Sequence, residues 1–524
     1  MREFHIRYTS DVHGYLLPTT FLDKEERPTG LFSLYREFAQ DGNTLILDGG
    51  DSLQGSPLTN FLYRSPPEDV RAFMPPDAPC AHPIAAAMNL CGYQYVTLGN
   101  HDFNHGIEAL HDYLRSLNAR CLCANIRDRA GRLPIAPHAI HTLQNGLRIG
   151  LVGVCTDFVR YWEEPDTVAQ LDIGSAFEAA RRELELIRNE CDVTVLLYHG
   201  GYEEDLSGEV QCEPTGTENE ACRMCRELDY DLILTGHQHL AVPGLSLNGT
   251  WTVQPSDMAR HCCAVDARVE EDGRIRFTSS LKTGALPALE EGCRMLSALN
   301  RRLQQWLDSP AGILDRPLPA MDHLEAAIHG NPLANFINTV QLAVSGAQVA
   351  TCAMPNSYKG FPQVVTIRDV VSTYIYANTL VNLRMTGATL RSYIEHTMAY
   401  FAPDGKGGVT YGNLFTKPKL QHYNYDYFSG VDYVVDILRP VGQRIVSLTR
   451  NGVPVSDDEE IIVCVNSYRS HGSSGYDMVS SAPAVREILV DVADAIIEYI
   501  LSHPHITIDT HRYCTLMLGE KQLS

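Results

Sequence analysis

Seven side chains of metal-ligand type are spread over the first half of the chain, and each follows a short apolar run. They are two carboxylates, one amide and four imidazoles: Asp11, His13, Asp51, Asn100, His199, His237 and His239. Imidazole combined with carboxylate suits zinc, manganese, iron or cobalt better than calcium or magnesium alone. One ion takes about four to six ligands, so seven donors suit two divalent ions that share a bridging carboxylate. Either aspartate can bridge, and Asp51 is favoured because it lies in the middle of the set.

A dinuclear metal site predicts chemistry at phosphorus. Two ions about 3.5–4 Å apart can activate a water and hold both oxygens of an in-line displacement. His101 stands directly after Asn100, and we interpret it as a catalytic residue that faces the substrate. Its imidazole would stabilise charge on the phosphoryl oxygens or protonate the leaving alkoxide. The sequence has no nucleophile elbow or aminopeptidase-like signature, which argues against carbonyl chemistry.

The spacing of these residues predicts the sheet that must hold them. Five apolar, β-rich runs end directly before ligand-type residues: Phe4–Tyr8, Leu45–Leu47, Tyr95–Leu98, Val193–Tyr198 and Leu232–Thr235. Helix-like segments lie between them: Pro83–Cys91, Gly106–Asn118 and Ser175–Asn189. Alternating strands and helices predict an α/β domain, in which the loops at the carboxyl ends of strands gather at one edge. We therefore expect the seven donors to converge there.

A second α/β region follows a connector. The connector contains the helix-like run Met295–Leu307 and then becomes rich in proline. Beyond it, we expect a helix near Pro332–Val344, an exposed loop at Ala402–Gly412 and a last long helix near Ala484–Leu501. The chain therefore divides into a first domain at 1–285, a connector or hinge at 286–320 and a second domain at 321–524.

Composition limits the partners. The chain has 524 residues, 64 acidic and 42 basic side chains, and a formal net charge of −22. Such a balance argues against a nucleic-acid polymer, which is held mainly by lysine and arginine, but a metal can supply local positive charge for a small phosphorylated ligand. No stretch approaches the about 18 apolar residues of a membrane helix. We expect no membrane partner, and a monomer or homodimer.

The first residues lack the basic, apolar and small-residue pattern of a signal peptide. This predicts a cytoplasmic protein with reduced thiols. A periplasmic or secreted protein whose start had been trimmed would show the same sequence.

The motifs, in this order, resemble those of the calcineurin-like metallophosphoesterases. The matching segments are Asp11-Val-His13, Gly50-Asp51, Gly99-Asn-His-Asp102, His199 and Gly236-His-Gln-His239. The second half is similar to a nucleotidase C-terminal domain, so nearly the whole chain resembles the 5′-nucleotidase / 2′,3′-cyclic-nucleotide 2′-phosphodiesterase family. The resemblance implies a four-layer αββα metallophosphoesterase sandwich, a smaller α/β substrate-binding domain, two divalent metal ions and a nucleotide or small phosphoester substrate. Asp102 stands where the family more commonly has Glu.

The resemblance also implies residue roles. One metal would be bound by Asp11, His13, Asp51 and His239, the other by Asp51, Asn100, His199 and His237, with His101 as the catalytic histidine. Tyr376 and Tyr468 would sandwich the nucleobase. Stacking on an aromatic side chain is worth about 1–3 kcal/mol per base. Because every base offers a π face, it shows little preference among bases. Asn356, Lys359 and Arg469 are candidate phosphate or sugar contacts.

Two branches of the family compete. The 5′-nucleotidases and UDP-sugar hydrolases usually carry an aspartate three residues after the catalytic histidine, to orient it. This position is Asn104, as is typical of the 2′,3′-cyclic-nucleotide 2′-phosphodiesterase/3′-nucleotidases. The 5′-branch also usually has a Gly-Gly-Ile-Arg motif, and the matching region Thr351–Lys359 lacks arginine. We therefore favour the cyclic-nucleotide branch. The alternatives are a 5′-nucleotidase/UDP-sugar hydrolase, or a nucleotide-binding protein with weak catalysis.

Overall fold

The structure is a computed structural model, and it forms two compact units along the chain. It describes residues 2–39, 41–204, 218–376, 378–416, 420–470, 472, 474–488 and 490–523. The first unit is Met1–Gln305 and the second is Trp306–Ser524. None of the helices within the described ranges is long and apolar enough to cross a lipid bilayer.

Two sheets form the centre of the first unit. The seven-stranded sheet has the strand order Ile275–Thr283, His261–Val269, Arg2–Thr9, Thr44–Asp48, Tyr95–Val96, Arg120–Leu122 and Ile135–Ala136. The six-stranded sheet has the order Val242–Leu247, Thr250–Gln254, Leu232–Thr235, Val193–His199, Arg148–Cys155 and His138–Thr142. The strands that precede the ligand-type residues are parallel neighbours within each sheet. Their carboxyl ends therefore meet at one edge.

Apolar side chains from both sheets form one buried core. In the strand Arg2–Thr9 the inward residues alternate, with Phe4 and Ile6 fully buried against residues such as Leu151 and Val195 of the other sheet. The opposite face of the six-stranded sheet packs against the helix Ala176–Ile187. The α/β class and the sandwich of sheets with covering helices are confirmed.

Most helices of the first unit lie between the strands along the chain. Their described bounds are Pro57–Arg64, Pro67–Phe73, Pro83–Cys91, Gly106–Ser116, Val159–Trp162, Pro165–Val168, Ala176–Ile187 and Ala221–Glu227. Two more helices, Glu290–Met295 and Ser297–Leu307, follow the last strand of the unit, and the second of them continues across the boundary between the units. Short 3₁₀ helices span Leu31–Ser33, Tyr35–Glu37 and Asn100–Phe103. A separate antiparallel pair joins Ile126–Asp128 to Leu171–Ile173.

The second unit contains two five-stranded sheets. One has the order Asp426–Ser429, Val349–Ala353, Glu460–Asn466, Leu380–Thr386 and Ala484–Ile488. The other has the order Val453–Pro454, Ile445–Arg450, Asp432–Asp436, Cys514–Leu518 and Lys521–Gln522. Smaller sheets combine Val364–Thr366, Pro310–Leu314 and His505–Ile506, Leu318–Pro319 with Gly360–Phe361, and Phe401–Pro403 with Val409–Tyr411.

Helices of the second unit have clear end signals. The described α-helices are His323–His329, Pro332–Ser345, Ile367–Thr373, Gly387–Met398, Ser467–Ser470, Asp477–Ser480 and Val492–Ser502, with 3₁₀ turns at Asn413–Phe415 and His422–Asn424. The helix Pro332–Ser345 begins after Asn331, whose side chain accepts two backbone N–H bonds, and ends at Gly346 in the left-handed region (φ 68°).

Two expectations for this unit are wrong in part. The segment predicted as a long helix at Ala484–Leu501 begins with the strand Ala484–Ile488, which pairs antiparallel with Leu380–Leu383, and only Val492–Ser502 is helical. Pairing with a neighbouring strand overrides the local helical pattern. The loop expected at Ala402–Gly412 is a short hairpin, of which residues 404–407 are exposed.

Candidate functional site

Two groups of ligand-type side chains lie at the carboxyl ends of the central strands. Asp11, His13 and His239 form one group, and Asp51, His199 and His237 form the other. Within each group, one donor atom of every residue lies within 4.8 Å of the others. Asn100 joins the second group, because its Oδ1 lies 3.1 Å from Nε2 of His199. The structure thus brings all seven predicted donors together in the first unit.

The backbone at these donors is unusual. Five of the seven have positive φ: Asp11 (55°), His13 (50°), Asp51 (59°), His237 (71°) and His239 (58°). Residues other than glycine rarely adopt this left-handed conformation, and it persists where the surrounding structure enforces it. Here backbone hydrogen bonds from Asp11 N to Gly50 O (2.9 Å) and from His13 N to Asp51 O (2.8 Å) join the first two loops.

Two glycines allow the loops of the second group to approach closely. A β-carbon at Gly99 would lie 2.1 Å from Oδ1 of Asp51, and one at Gly50 would lie 2.2 Å from the backbone nitrogen of Gly99. Neither distance is compatible with a side chain. This explains why glycine precedes the ligand in both the Gly50-Asp51 and the Gly99-Asn100 motifs.

Asp102 fixes the same loops from a buried position. Its Oδ2 accepts hydrogen bonds from Gly99 N (2.8 Å) and Asp51 N (3.0 Å), and its Oδ1 accepts from Ser52 N (2.8 Å) and Leu53 N (3.1 Å). Burial and the charge of Asp51 raise the pKa of Asp102 to about 6, against the effect of these N–H groups. The residue therefore positions the backbone around Asp51 and is not one of the seven donors.

Three of the four ligand-type imidazoles are anchored by a hydrogen bond through one ring nitrogen. The partners are Gln54 O for His13 Nδ1 (2.7 Å), Gly49 O for His199 Nδ1 (2.7 Å) and Glu218 Oε1 for His237 Nε2 (2.8 Å). Nδ1 of the fourth, His239, lies 3.6 Å from Oδ2 of Asp257, at ion-pair distance. Metal-ligating histidines usually anchor their second nitrogen in this way, which sets the tautomer and the ring orientation. Sequence reasoning missed Asp257 and Glu218. The position of Asp257 just after the strand Thr250–Gln254 is the signal that could have found it.

The donor set fits divalent cations. With Nδ1–H of His199 directed at Gly49, the lone pair on Nε2 faces Oδ2 of Asp51 at 3.2 Å and Oδ1 of Asn100 at 3.1 Å. When the imidazole is neutral, these three electron-rich atoms repel one another unless a cation lies between them. Moreover, Oδ2 of Asp51 is buried and receives no hydrogen bond from the residues that the structure describes.

Ionisation of the imidazoles supports the same conclusion. Burial lowers the pKa of His199, but Asp51 and Asp11 raise it to about 10. Burial also lowers the pKa of His239, yet its bond to Asp11 and the charge of that residue raise the pKa to about 9. Asp11 and Asp51 therefore favour positive charge at these positions, and a metal cation would supply that charge in place of a proton on the imidazole.

The candidate catalytic histidine lies beside the first group. The ring centroids of His101 and His13 are 5.6 Å apart, and the backbone N–H of His101 donates to Oδ1 of Asp51 at 2.7 Å. Its Nδ1 lies 2.7 Å from Oδ1 of Asn104, the residue predicted to orient it. Asn104 in turn donates from Nδ2 to Oε1 of Glu163 at 2.6 Å. Sequence reasoning did not single out Glu163.

The two tyrosines predicted to hold the base share one neighbourhood in the second unit. Burial, with the nearby hydroxyls of Tyr423 and Tyr468, raises the pKa of Tyr376 to about 12. Tyr468 is 38% exposed, and its hydroxyl lies 3.4 Å from Oδ1 of Asn424. A third tyrosine, Tyr423, thus joins the predicted pair. Its place in the Tyr423-Asn-Tyr-Asp426 segment is the signal for it.

Arg469 is engaged inside the second unit. It is 1% exposed, its Nε lies 2.7 Å from Oδ2 of Asp426, and its guanidinium stacks on the ring of Tyr476 at 3.7 Å from the centroid. Burial lowers its pKa, but the charge of Asp426 outweighs that effect and raises the pKa. These contacts give Arg469 a structural role that requires no phosphate.

Asn356 and Lys359 lie in the loop after the strand Val349–Ala353. The side chain of Asn356 donates to Leu420 O (2.9 Å) and accepts from His422 N (2.9 Å), so it holds the segment that precedes Tyr423. Lys359 is exposed. Of the three candidate phosphate or sugar contacts, Lys359 alone offers an exposed charge.

Comparison with known proteins agrees with this organisation. Residues 4–241 match the family model for calcineurin-like phosphoesterases, and residues 317–481 match the model for the 5′-nucleotidase C-terminal domain. The 2′,3′-cyclic-nucleotide 2′-phosphodiesterase/3′-nucleotidase of Salmonella typhimurium is 23% identical over 90% of this chain and 81% of its own length. A trifunctional nucleotide phosphoesterase of Bacillus subtilis is also 23% identical, over 94% of this chain. The chain spans only 37% of the length of that relative.

A solved structure shows the likeness over the full length. The "Putative 5′-Nucleotidase" of Staphylococcus aureus is 31% identical, with a TM-score of 0.72, and the match covers 99% of this chain and 100% of that one. Since both family models match and this likeness extends over both whole chains, the protein belongs to the calcineurin-like phosphoesterases that carry a 5′-nucleotidase C-terminal domain, which are metal-dependent phosphoric ester hydrolases.

Proposed function

We propose that the protein hydrolyses the 2′-ester bond of 2′,3′-cyclic nucleotides and then removes phosphate from the resulting 3′-nucleotides. The observation that carries this proposal is the hydrogen bond between His101 and Asn104. In the 5′-nucleotidase branch an aspartate is usual at this position. The relatives from Salmonella typhimurium, Yersinia enterocolitica and Haemophilus influenzae that are named for the cyclic-nucleotide activity support the same choice.

The seven donors divide into two sets in the proposed site. Asp11, His13, Asp51 and His239 would hold one divalent cation, and Asp51, Asn100, His199 and His237 would hold the other. Such ions supply positive charge to the phosphoryl oxygens and activate the attacking water. Manganese, zinc, cobalt and iron all suit this mixture of nitrogen and oxygen donors.

His101 is the proposed general acid. When Nδ1–H is directed at Asn104, the other ring nitrogen, Nε2, is the atom that exchanges a proton with the substrate. In the imidazolium form Nε2 carries a second proton, which would pass to the ribose oxygen that leaves phosphorus, so that a hydroxyl and not an alkoxide departs and the neutral imidazole keeps its proton on Nδ1. Burial lowers the pKa of His101, which favours release of that proton.

A substrate panel tests the proposed activity. With Mn- or Co-loaded protein, kcat/KM should be higher for 2′,3′-cAMP and 3′-AMP than for 5′-AMP or a UDP-sugar, because Asn104 is typical of the proposed cyclic-nucleotide branch. Phosphate release and chromatography of the nucleoside products measure the rates. Faster turnover of 5′-AMP or the UDP-sugar would contradict the proposal and favour the second candidate, a 5′-nucleotidase/UDP-sugar hydrolase, to which the Staphylococcus aureus likeness points. No turnover of any of these compounds would indicate a nucleotide-binding protein.

We also propose that Tyr376 and Tyr468 stack on the nucleobase. Replacing Tyr468 with alanine should raise KM for 3′-AMP about 5- to 150-fold, the equivalent of about 1–3 kcal/mol of lost stacking, with little change in kcat. The control is Tyr468→Phe, which keeps the ring and should keep KM. Steady-state kinetics distinguish the two variants, and an unchanged KM in Tyr468→Ala would remove this residue from the base site.

The cellular setting is a further part of the proposal. All fourteen cysteines that the structure describes are free thiols, which supports the reducing environment of the cytoplasm. A monomer or homodimer stays the expected assembly. Cell fractionation and sedimentation of the purified protein check these two points.

A further inference from the structure

A buried carboxyl group extends the pair of His101 and Asn104. Oδ1 of Asn104 lies 2.7 Å from Nδ1 of His101, and Nδ2 of Asn104 donates to Oε1 of Glu163 at 2.6 Å. An amide has one accepting oxygen and one donating nitrogen, so the group that binds the nitrogen decides which end faces the histidine. We propose that Glu163 is a positioning residue that orients Asn104 and thereby keeps the proton of His101 on Nδ1. The inference rests on the catalytic role proposed for His101.

The fold brings Glu163 to this place from a neighbouring strand. The strand Arg148–Cys155 lies parallel to Val193–His199, with Cys155 opposite His199. The loop after it therefore starts at the edge where the metal-ligand side chains gather. The short helix Val159–Trp162 then ends at Glu163, whose backbone N–H donates to Val159 O at 3.0 Å. Glu163 thus reaches His101 from the segment that follows the strand Arg148–Cys155, which is the neighbour of the strand that ends at His199.

The surroundings of Glu163 give it no cationic partner. The residue is 7% exposed, and no ion pair joins it to any lysine or arginine within the described ranges. Burial, and then the charge of Glu164, raise the pKa of Glu163 to about 8, whereas the bond from Asn104 lowers it. A desolvated carboxyl without a cationic partner is unfavourable for stability. Perturbed groups of this kind cluster at functional sites.

Control of the amide has a chemical consequence. If Asn104 turned over, its NH2 group would face Nδ1 of His101, and the neutral imidazole would carry its proton on Nε2 instead. Oε1 of Glu163 accepts the hydrogen bond from Nδ2 of Asn104, so Glu163 binds the NH2 end of the amide and holds its oxygen toward His101. Compared with an aspartate at position 104, this arrangement keeps the tautomer but places the carboxyl group one amide group away from the ring.

Glu163→Gln is the direct test, with Glu164→Gln as the matched control because Glu164 is exposed. The amide that Glu163→Gln introduces can offer its own NH2 group to Asn104, so the orientation of Asn104 is no longer enforced. We expect kcat for 2′,3′-cAMP to fall about 10- to 100-fold in Glu163→Gln, with KM and metal content unchanged, and to stay at the wild-type value in Glu164→Gln. Unchanged kcat in both variants would overturn the proposal.

A double-mutant cycle tests whether Glu163 acts through Asn104. In an Asn104→Ala background, Glu163→Gln should have little further effect, since the connecting amide is gone. Equal fold-losses in both backgrounds would show that Glu163 acts independently of Asn104, which contradicts the proposal.

A spectroscopic readout separates this proposal from the function on which it rests. In wild-type protein labelled with ¹⁵N-histidine, at a pH at which the ring is neutral, the Nδ1–H signal of His101, assigned by its absence in His101→Asn, should show that the single ring proton is on Nδ1. That signal should be lost or exchange-broadened in Glu163→Gln. A neutral wild-type His101 whose single proton is on Nε2 would overturn the proposal without any variant. If instead no nucleotide were hydrolysed but the Nδ1–H signal depended on Glu163, the proposed function would fail and the positioning role would stand.

Discussion

His101→Ala should lower kcat for the nucleotide substrates by about 10²- to 10⁴-fold, the range typical for loss of a general acid. The reason is that the neighbouring imidazoles of the site, His13, His199, His237 and His239, are committed to the two donor groups. Metal content should stay at two ions per chain, because the backbone N–H of residue 101, which binds Asp51, survives the substitution. Steady-state kinetics and elemental analysis of the same preparation give both numbers.

The control for this experiment is His111→Ala, a substitution on the nearby helix Gly106–Ser116. It should leave both kcat and metal content at wild-type values. Substantial activity of His101→Ala on 2′,3′-cAMP would contradict the proposed acid, and loss of metal in that variant would show that His101 acts on the cations rather than on the substrate.

Asp51→Asn should weaken metal binding by at least about 100-fold, because outer partners of metal ligands already contribute 10- to 100-fold and Asp51 is proposed to contact both ions. The substitution keeps the shape of the side chain but removes its charge. In the wild-type protein, Oδ1 of Asp51 accepts from the backbone N–H of His101 and Oδ2 lies beside Nε2 of His199. The substitution replaces one of these two oxygens with an NH2 group. Calorimetric titration with Mn²⁺ and elemental analysis after dialysis measure the loss, and turnover should fall with it.

Asp48→Asn is the matched control for Asp51→Asn. Asp48 is a buried carboxyl at the end of the strand that leads to Asp51, but its Oδ2 accepts from Thr9 Oγ1 and it belongs to neither donor group. Burial raises its pKa to about 7, so a neutral amide is a mild change there. If Asp51→Asn kept two ions with wild-type affinity, the assignment of Asp51 as the bridge would be wrong.

The sequence predicted the strands that carry the ligands because buried parallel strands leave a strong local signal. Leu232–Thr235 matches the predicted run, and Val193–His199 extends it by one residue. The convergence of the donors could also be predicted from the sequence, because the carboxyl ends of parallel strands all lie at the same edge of a sheet. The strand Ala484–Ile488 was missed because its pairing with Leu380–Leu383 joins segments about a hundred residues apart and leaves no local trace.

The residues that support the site were harder to predict than the ligands. Glu163, Glu218 and Asp257 are single acidic residues in loops, and the chain has 64 aspartates and glutamates in all. Their roles depend on which ring nitrogen or amide they meet, and only three-dimensional placement decides that. Glu163 had one available signal, its position after the apolar strand Arg148–Cys155, which was not among the five predicted runs. The positive φ values of the proposed ligand residues could not be predicted either, because aspartate and histidine, unlike glycine, do not indicate a left-handed backbone.

The left-handed backbone at five of the proposed ligand positions affects how the protein acquires its metals. Hydrogen bonds within the protein, four of them to Asp102, already hold the loops around Asp51. Uptake of an ion therefore requires no ordering of these loops, and the entropic penalty that they contribute is small. Loading should follow the relative abundance of divalent ions in the growth medium, so preparations of the same polypeptide from different media would differ in metal inventory while sharing one folded shape.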